Sequence, residues 1–207
     1  MKHLFRPDSG LMILMTRITD CIFLSLFFVL SCLPLVTIGA AFAALYDAVC
    51  QGFRYGEKNT WIRYWHTFRG NWKGGILPTV LFLAVAWGLG YGLIQCWNGA
   101  VYAKISWGMF AGLTLALMVP VGMLSLLFPM LSRFENSLAA LLRNTVLLSL
   151  ANLPRTLALG ILNAMVTLLC ARFVIPLFIV PAMATYIATW LIEPMFKPYM
   201  PEEEAAQ

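Results

Sequence analysis

Apolar residues fall in long runs along the chain, and polar residues gather between them. Ile18 to Leu33 is almost wholly apolar; the pattern breaks at Pro34, restarts at Ile38 and continues to Cys50. Ile76 to Cys96 and Ile105 to Leu131 are two further runs, and Thr156 to Ile192 is a longer one interrupted by Arg172. Polar stretches occupy 51–73 and 132–155, with a short N-terminal segment (1–16) and a Pro- and Glu-rich tail (193–207). Uncharged runs of this length predict helices that cross a membrane. The predicted fold is all-α: one polytopic membrane helix bundle of about six crossings, alternatively five, with two amphipathic helices on its cytoplasmic side.

Length decides how two of the runs divide. As one straight helix, Ile18 to Cys50 would measure about 50 Å, against a hydrocarbon core of roughly 30 Å. Pro34 lacks an N–H and disfavours helical geometry at Leu33, so a hairpin with a turn at Pro34 is expected, a single kinked helix being the alternative. Thr37 is placed to cap the restarted helix. Beyond it, Gly39, Ala43 and Asp47 lie four apart, as do Ala40, Ala44 and Ala48, which makes a smooth face for another helix. Thr156 to Ile192 would measure about 55 Å and is expected to form two helices meeting near Arg172 and Pro176.

Between 51 and 73, Trp61, Trp65, Phe68 and Trp72 recur at helical spacing, with Arg63, His66, Arg69 and Lys73 on the neighbouring face. This predicts an amphipathic helix lying along the membrane surface, attracting anionic lipids or docking a partner helix. Leu138 to Leu150 is a second, more apolar one. Leu11, Met12, Leu14 and Met15 suggest a short interfacial segment at the N-terminus. Gly88 and Gly92, and Gly108 and Gly112, give four-residue spacings suited to helix packing, and Pro120 a kink. The order basic residue, Glu, Asn, helix, Asn occurs in both polar stretches, with Asn59 and Asn71 answered by Asn136 and Asn152, in the manner of a degenerate repeat.

Composition strengthens the membrane reading. The chain has 207 residues, 61% of them hydrophobic and 11% charged, with a mean hydropathy of +0.81. Its 14 Lys and Arg exceed its 9 Asp and Glu, but they are dispersed between apolar spans, so nucleic-acid binding is not expected. With six crossings and cytoplasmic termini, only Lys104 and Arg172 fall outside, as the positive-inside rule requires. Cys21, Cys32, Cys50, Cys96 and Cys170 lie in or beside apolar runs without a C-x-x-C pair and read as small buried hydrophobes. Arg17 and Asp20 interrupt the lead-in that a cleaved signal peptide would need, so the N-terminus is read as uncleaved.

Candidate chemistry is sparse. Asp47 is the sharpest residue, a carboxylate on the small-residue face; it is expected to reach water or pair with a loop arginine such as Arg54, with cation or proton binding the alternative. Asp20 stands three residues after Arg17, an ion-pair spacing. Asn163 could hydrogen-bond across helices, and Arg172 is expected to reach the outer surface. His3 and His66, the two histidines, belong to no ligand cluster, and no nucleophile elbow or paired carboxylates occur. Catalytic, metal and cofactor sites are therefore not expected.

Several motifs carry a family likeness. Cys32-Leu-Pro34, Val36-Thr-Ile-Gly-Ala40 and Ala44-Leu-Tyr46, together with Phe5 to Ser9, Asp20, Phe68 to Lys73 (with Asn71), Phe128-Pro129, Arg133-Phe-Glu135-Asn136 and Leu153 to Thr156, resemble the YesL family of bacterial membrane proteins, a domain of unknown function. The resemblance runs in order along most of the chain. It implies a setting beside carbohydrate uptake transporters and sensor kinases, and it supplies no catalytic residue.

Overall fold

The computed structural model describes residues 10–57, 59–102, 106–133, 138–173 and 175–199. Among these, seven α-helices and no strands occur: α1 (Gly10–Cys32), α2 (Ile38–Val49), α3 (Thr60–Val101), α4 (Trp107–Arg133), α5 (Leu138–Ala151), α6 (Leu153–Arg172) and α7 (Val180–Phe196). Five helical stretches are long and apolar enough to cross a membrane, in α1, α2 with its continuation to Arg54, α3, α4 and α6. α7 has 17 residues. Large apolar side chains cover the outside of the bundle, among them Val80, Trp87, Ile94, Leu115, Met165 and Leu168, which suits lipid rather than water.

The chain turns back at Pro34. A short 3-10 turn, Leu35–Thr37, joins α1 to α2, and the two run antiparallel. Phe28 meets Phe42 edge-on near the turn, with ring centroids 4.8 Å apart. At the other end Arg17 donates to the Gly52 carbonyl and lies over the Phe53 ring. Thr37 does not cap α2. Its hydroxyl faces the carbonyls of Ser31 at 2.6 Å and Pro34 at 2.7 Å, closing the turn on itself. Arg17 also acts electrostatically on Asp20, three residues on. α1 begins at Gly10, so residues 10–16 belong to this helix rather than to a separate interfacial segment.

The largest departure from the sequence reading is α3. The expected surface helix and the span after it form one continuous helix of 42 residues, about 63 Å long. Its first half runs antiparallel along α2 instead of lying apart. The inward stripe is Thr60, Tyr64, Thr67, Phe68, Gly75, Pro78 and Thr79, all buried, while Trp61, Trp65 and Trp72 face outward. The tryptophans mark a helical face, but the bundle takes the neighbouring one, where Tyr64 and Phe68 join Leu24, Ala41, Ala44 and Ala48 in a core.

Close approach is what the small residues of α2 provide. The Gly39 N–H donates to Thr79 Oγ1 at 2.9 Å, and that hydroxyl donates to the Gly75 carbonyl at 2.6 Å. A Cβ on Gly39 would collide with this hydroxyl and come within 2.7 Å of the Phe128 ring. α4 and α6 approach each other similarly through Gly122 and Gly160. By contrast, space around Gly88, Gly92 and Gly112 is open, so those expected packing rows meet no helix among the described residues. α4 stays helical through Pro120 and Pro129.

α2, α4, α6 and α7 form a ring, each packed on the next and α7 returning to α2. α6 ends at Arg172 and a 3-10 turn, Ile175–Phe178, leads into α7, as the run length requires. The expected solvated tail starts later than Glu193: α7 continues through Pro194, and Glu193, Met195 and Phe196 are buried. Pro194 gives up the N–H that would bond the Trp190 carbonyl, yet the helix runs on to Phe196.

Candidate functional site: two buried carboxylate networks

α2 ends in a π turn, Cys50–Arg54, a feature often found where helices carry function. Gly56 follows with φ +79°, a left-handed conformation that glycine adopts without a steric cost and that returns the chain to α3. Around this end of the bundle lie two carboxylates buried to 3% and 1% exposure, Asp47 and Glu193. They belong to separate networks on different sides of α2.

Asp47 faces α3. Arg63 donates from Nε to Oδ2 at 2.6 Å and from Nη2 to Oδ1 at 3.2 Å, a two-pronged pair. The Thr67 hydroxyl adds a third bond to Oδ2 at 2.6 Å. Arg63 and Thr67 stand four apart, so one face of α3 presents both to the carboxylate. The Arg63 side chain is 39% exposed and reaches toward Glu57 at 3.8 Å. Asp47 thus pairs with an arginine of the 51–73 stretch, as expected, but with Arg63 rather than Arg54, which donates to the Thr189 carbonyl at 3.3 Å and lies over Trp190.

Glu193 joins three helices. Its Oε1 accepts from Arg133 Nη2 at 2.9 Å, Tyr46 Oη at 2.8 Å and the Cys50 thiol at 3.1 Å. Tyr55 Oη donates to Oε2 at 3.2 Å, and Arg133 Nη2 also approaches Cys50 Sγ at 3.3 Å. Burial, then the adjacent Glu193 carboxylate, raise the Tyr55 phenol above its ordinary value, which keeps it a donor. An anion removed from water is tolerable only with such a full set of donors. Apolar side chains, including Leu126, Met130, Leu141, Ile192 and Phe196, surround the cluster.

No group of three His, Cys, Asp or Glu side chains that could hold a metal occurs among the described residues. What the geometry does is mechanical: Asp47 fixes the start of α3 to α2, and Glu193 fixes the end of α7 to α2 and α4.

The sequence candidates divide accordingly. Asp47, Tyr46 and Arg133 enter these networks, while Pro34, Thr37 and Gly39 shape the α1–α2 turn and the α2–α3 contact. Asp20 lies half-buried on α1, away from both. Asn71 is tied to its own helix, donating to the Thr67 carbonyl at 3.0 Å. Asn163 likewise donates to the Leu159 carbonyl at 2.8 Å rather than across helices. Glu135 and Asn136 lie outside the described residues. The sequence marks Arg63 only as a surface cation and Cys50 only as a small buried hydrophobe, and Glu193, Tyr55 and Thr67 are not singled out by it. Glu193 could have been, as an ionisable residue directly following an apolar run.

No curated protein and no solved structure matches the chain. The model of a family described as a protein of unknown function, DUF624, matches residues 21–92, which span the α1–α2 hairpin, the π turn and most of α3, and so include the Asp47 network but neither Arg133 nor Glu193.

Proposed function

We propose that the chain is a non-enzymatic accessory or regulatory protein of a bacterial cytoplasmic membrane, working beside a carbohydrate uptake transporter or its sensor kinase. The observation that carries this reading is the contrast between its interior and its α3 face. Asp47 and Glu193 are both occupied by internal donors, which leaves neither carboxylate open to a transported ion. On the outside, Trp61, Trp65, His66, Arg69, Trp72 and Lys73 are exposed on a helix that Asp47 holds in place, and Arg69 stacks over Trp65 at 4.9 Å. Aromatic and cationic side chains displayed together suit a partner helix and the anionic headgroups around it. The positive-inside rule assigns this face and both termini to the cytoplasm. The carbohydrate-uptake setting comes from the resemblance to the YesL family.

Photo-crosslinkers at Trp61 and Trp65 in native membranes test the proposal. Adducts with a transporter subunit or a kinase are expected; adducts with lipid alone contradict a partner at this face. A small-solute transporter or oligomeric channel is the second reading, favoured by a cavity inside the helix ring. Its apolar walls weigh against selection of a polar solute. Asp47-dependent solute flux into vesicles would favour it over the accessory role.

A further inference from the structure

Between α2, α4, α6 and α7 lies a partly open cavity of about 470 Å³, to which α1 adds Phe28 and α3 adds Phe82. Its volume lies in the range of small-ligand pockets, roughly 300–1,000 Å³. On one side the lining includes Tyr46, which bonds Glu193, and Ile192, the residue before it. The other reaches Cys170, Ala171 and Leu177 at the turn between α6 and α7. Along α6, from Leu162 to Ala171, that is about 13 Å.

The lining contains no Asp, Glu, Lys or Arg. Three of its four hydroxyls are committed: Tyr46 donates to Glu193, Ser125 to the Val121 carbonyl and Thr185 to the Pro181 carbonyl, each at 2.8 Å, while Thr167 is exposed. So few open polar groups, and no charged one, reward a sugar or an ion little for losing its water. Apolar cavities of this kind stay dry and accept apolar occupants. At the α6–α7 turn the surroundings change. Ile175 is 81% and Phe178 40% exposed, forming an apolar threshold beside Leu177. Arg172, the residue after Ala171, is exposed and lies over the Phe173 ring at 5.9 Å.

The geometry points to a binding site for a single-chain anionic amphiphile of the fatty-acid type, its alkyl tail in the cavity and its carboxylate at Arg172. The apolar chamber suits the tail, and Arg172, next in sequence to the lining residue Ala171, is the cation nearest along the chain for the head. The surrounding bilayer supplies such a molecule directly through the Ile175 and Phe178 threshold. This site is independent of the partner face on α3, so either can fail without the other.

The test uses the full chain in lipid nanodiscs with a photoreactive fatty acid, followed by mapping of the labelled peptides. Adducts are expected on 162–171 and 181–192, saturable by unlabelled fatty acid. Ala184→Phe, which fills the cavity, is expected to abolish them, and Ala111→Phe on the exposed face of α4 to leave them intact. Arg172→Gln should reduce labelling by the fatty acid while sparing a photoreactive fatty alcohol. Non-saturable labelling of wild type, spread over outward residues such as Met165 and Leu168, would overturn the site regardless of how the variants fold. Equal loss of acid and alcohol labelling in Arg172→Gln would overturn the role of the cation.

Discussion

Tyr46 and Asp47 are consecutive on α2, yet each serves a different buried carboxylate network: Tyr46 donates to Glu193 on α7 at 2.8 Å, and Asp47 receives Arg63 of α3 at 2.6 Å. Neighbouring residues on an α-helix point about 100° apart. α2 is thereby the shared strut to which the start of α3 and the end of α7 are tied.

The two ties differ in how much water reaches them. The Arg63 side chain is 39% exposed, whereas that of Arg133 is 10% exposed. When Asp47 is replaced by Asn, Arg63 can turn to water and Thr67 keeps a partner. Asp47→Asn is therefore expected to cost roughly 1–3 kcal/mol, the range for a buried group losing part of its bonding. Thermal unfolding in detergent measures this, and Arg63→Lys, which loses the two-pronged geometry, should fall in the same range.

Contacts of the glycines separate two kinds of spacing. Gly39→Ala drives a methyl group against Thr79 and the Phe128 ring and is expected to destabilise by about 1–3 kcal/mol, as overpacking does. Gly88→Ala enters open space on α3 and is expected to stay within about 0.5 kcal/mol of wild type or to stabilise. Parallel melting curves of the two variants decide it. Similar losses in both would mean that Gly88 has a contact of its own.

Asn59 and Asn98 stand near the two ends of the long α3, both exposed. If α3 crosses the bilayer once with its start in the cytoplasm, a single cysteine at Asn98, in a cysteine-free background, reacts with an impermeant maleimide on intact cells. A cysteine at Asn59 does not. Labelling at Asn59 alone would invert the orientation.

Much of the bundle could be read from the chain because length and proline are blunt constraints. Ile18 to Cys50 is too long for one crossing and contains Pro34, so the hairpin follows; Thr156 to Ile192 divides at Arg172 for the same reason. Which face of a helix is buried was harder to read. Tryptophan spacing in 61–72 marks a stripe without saying that the bundle takes its neighbour, and glycine spacing at 88 and 92 does not say that a helix lies opposite. Asp47 stood out because it interrupts a small-residue face. Glu193 did not, since Pro194 beside it reads as the beginning of a tail, and only the fold brings it to Arg133, 60 residues earlier in sequence.

The central claim is that these buried charges act as ties within the bundle, and a double-mutant cycle on Arg133 and Glu193 tests it most directly. Arg133→Met and Glu193→Leu each leave a buried partner uncompensated and are expected to cost about 3–5 kcal/mol. The double variant, with no charge left to bury, is expected to recover most of that loss, giving a coupling of several kcal/mol in unfolding measurements. Additive losses, within about 0.5 kcal/mol, would show that the two side chains are not coupled and would contradict the account.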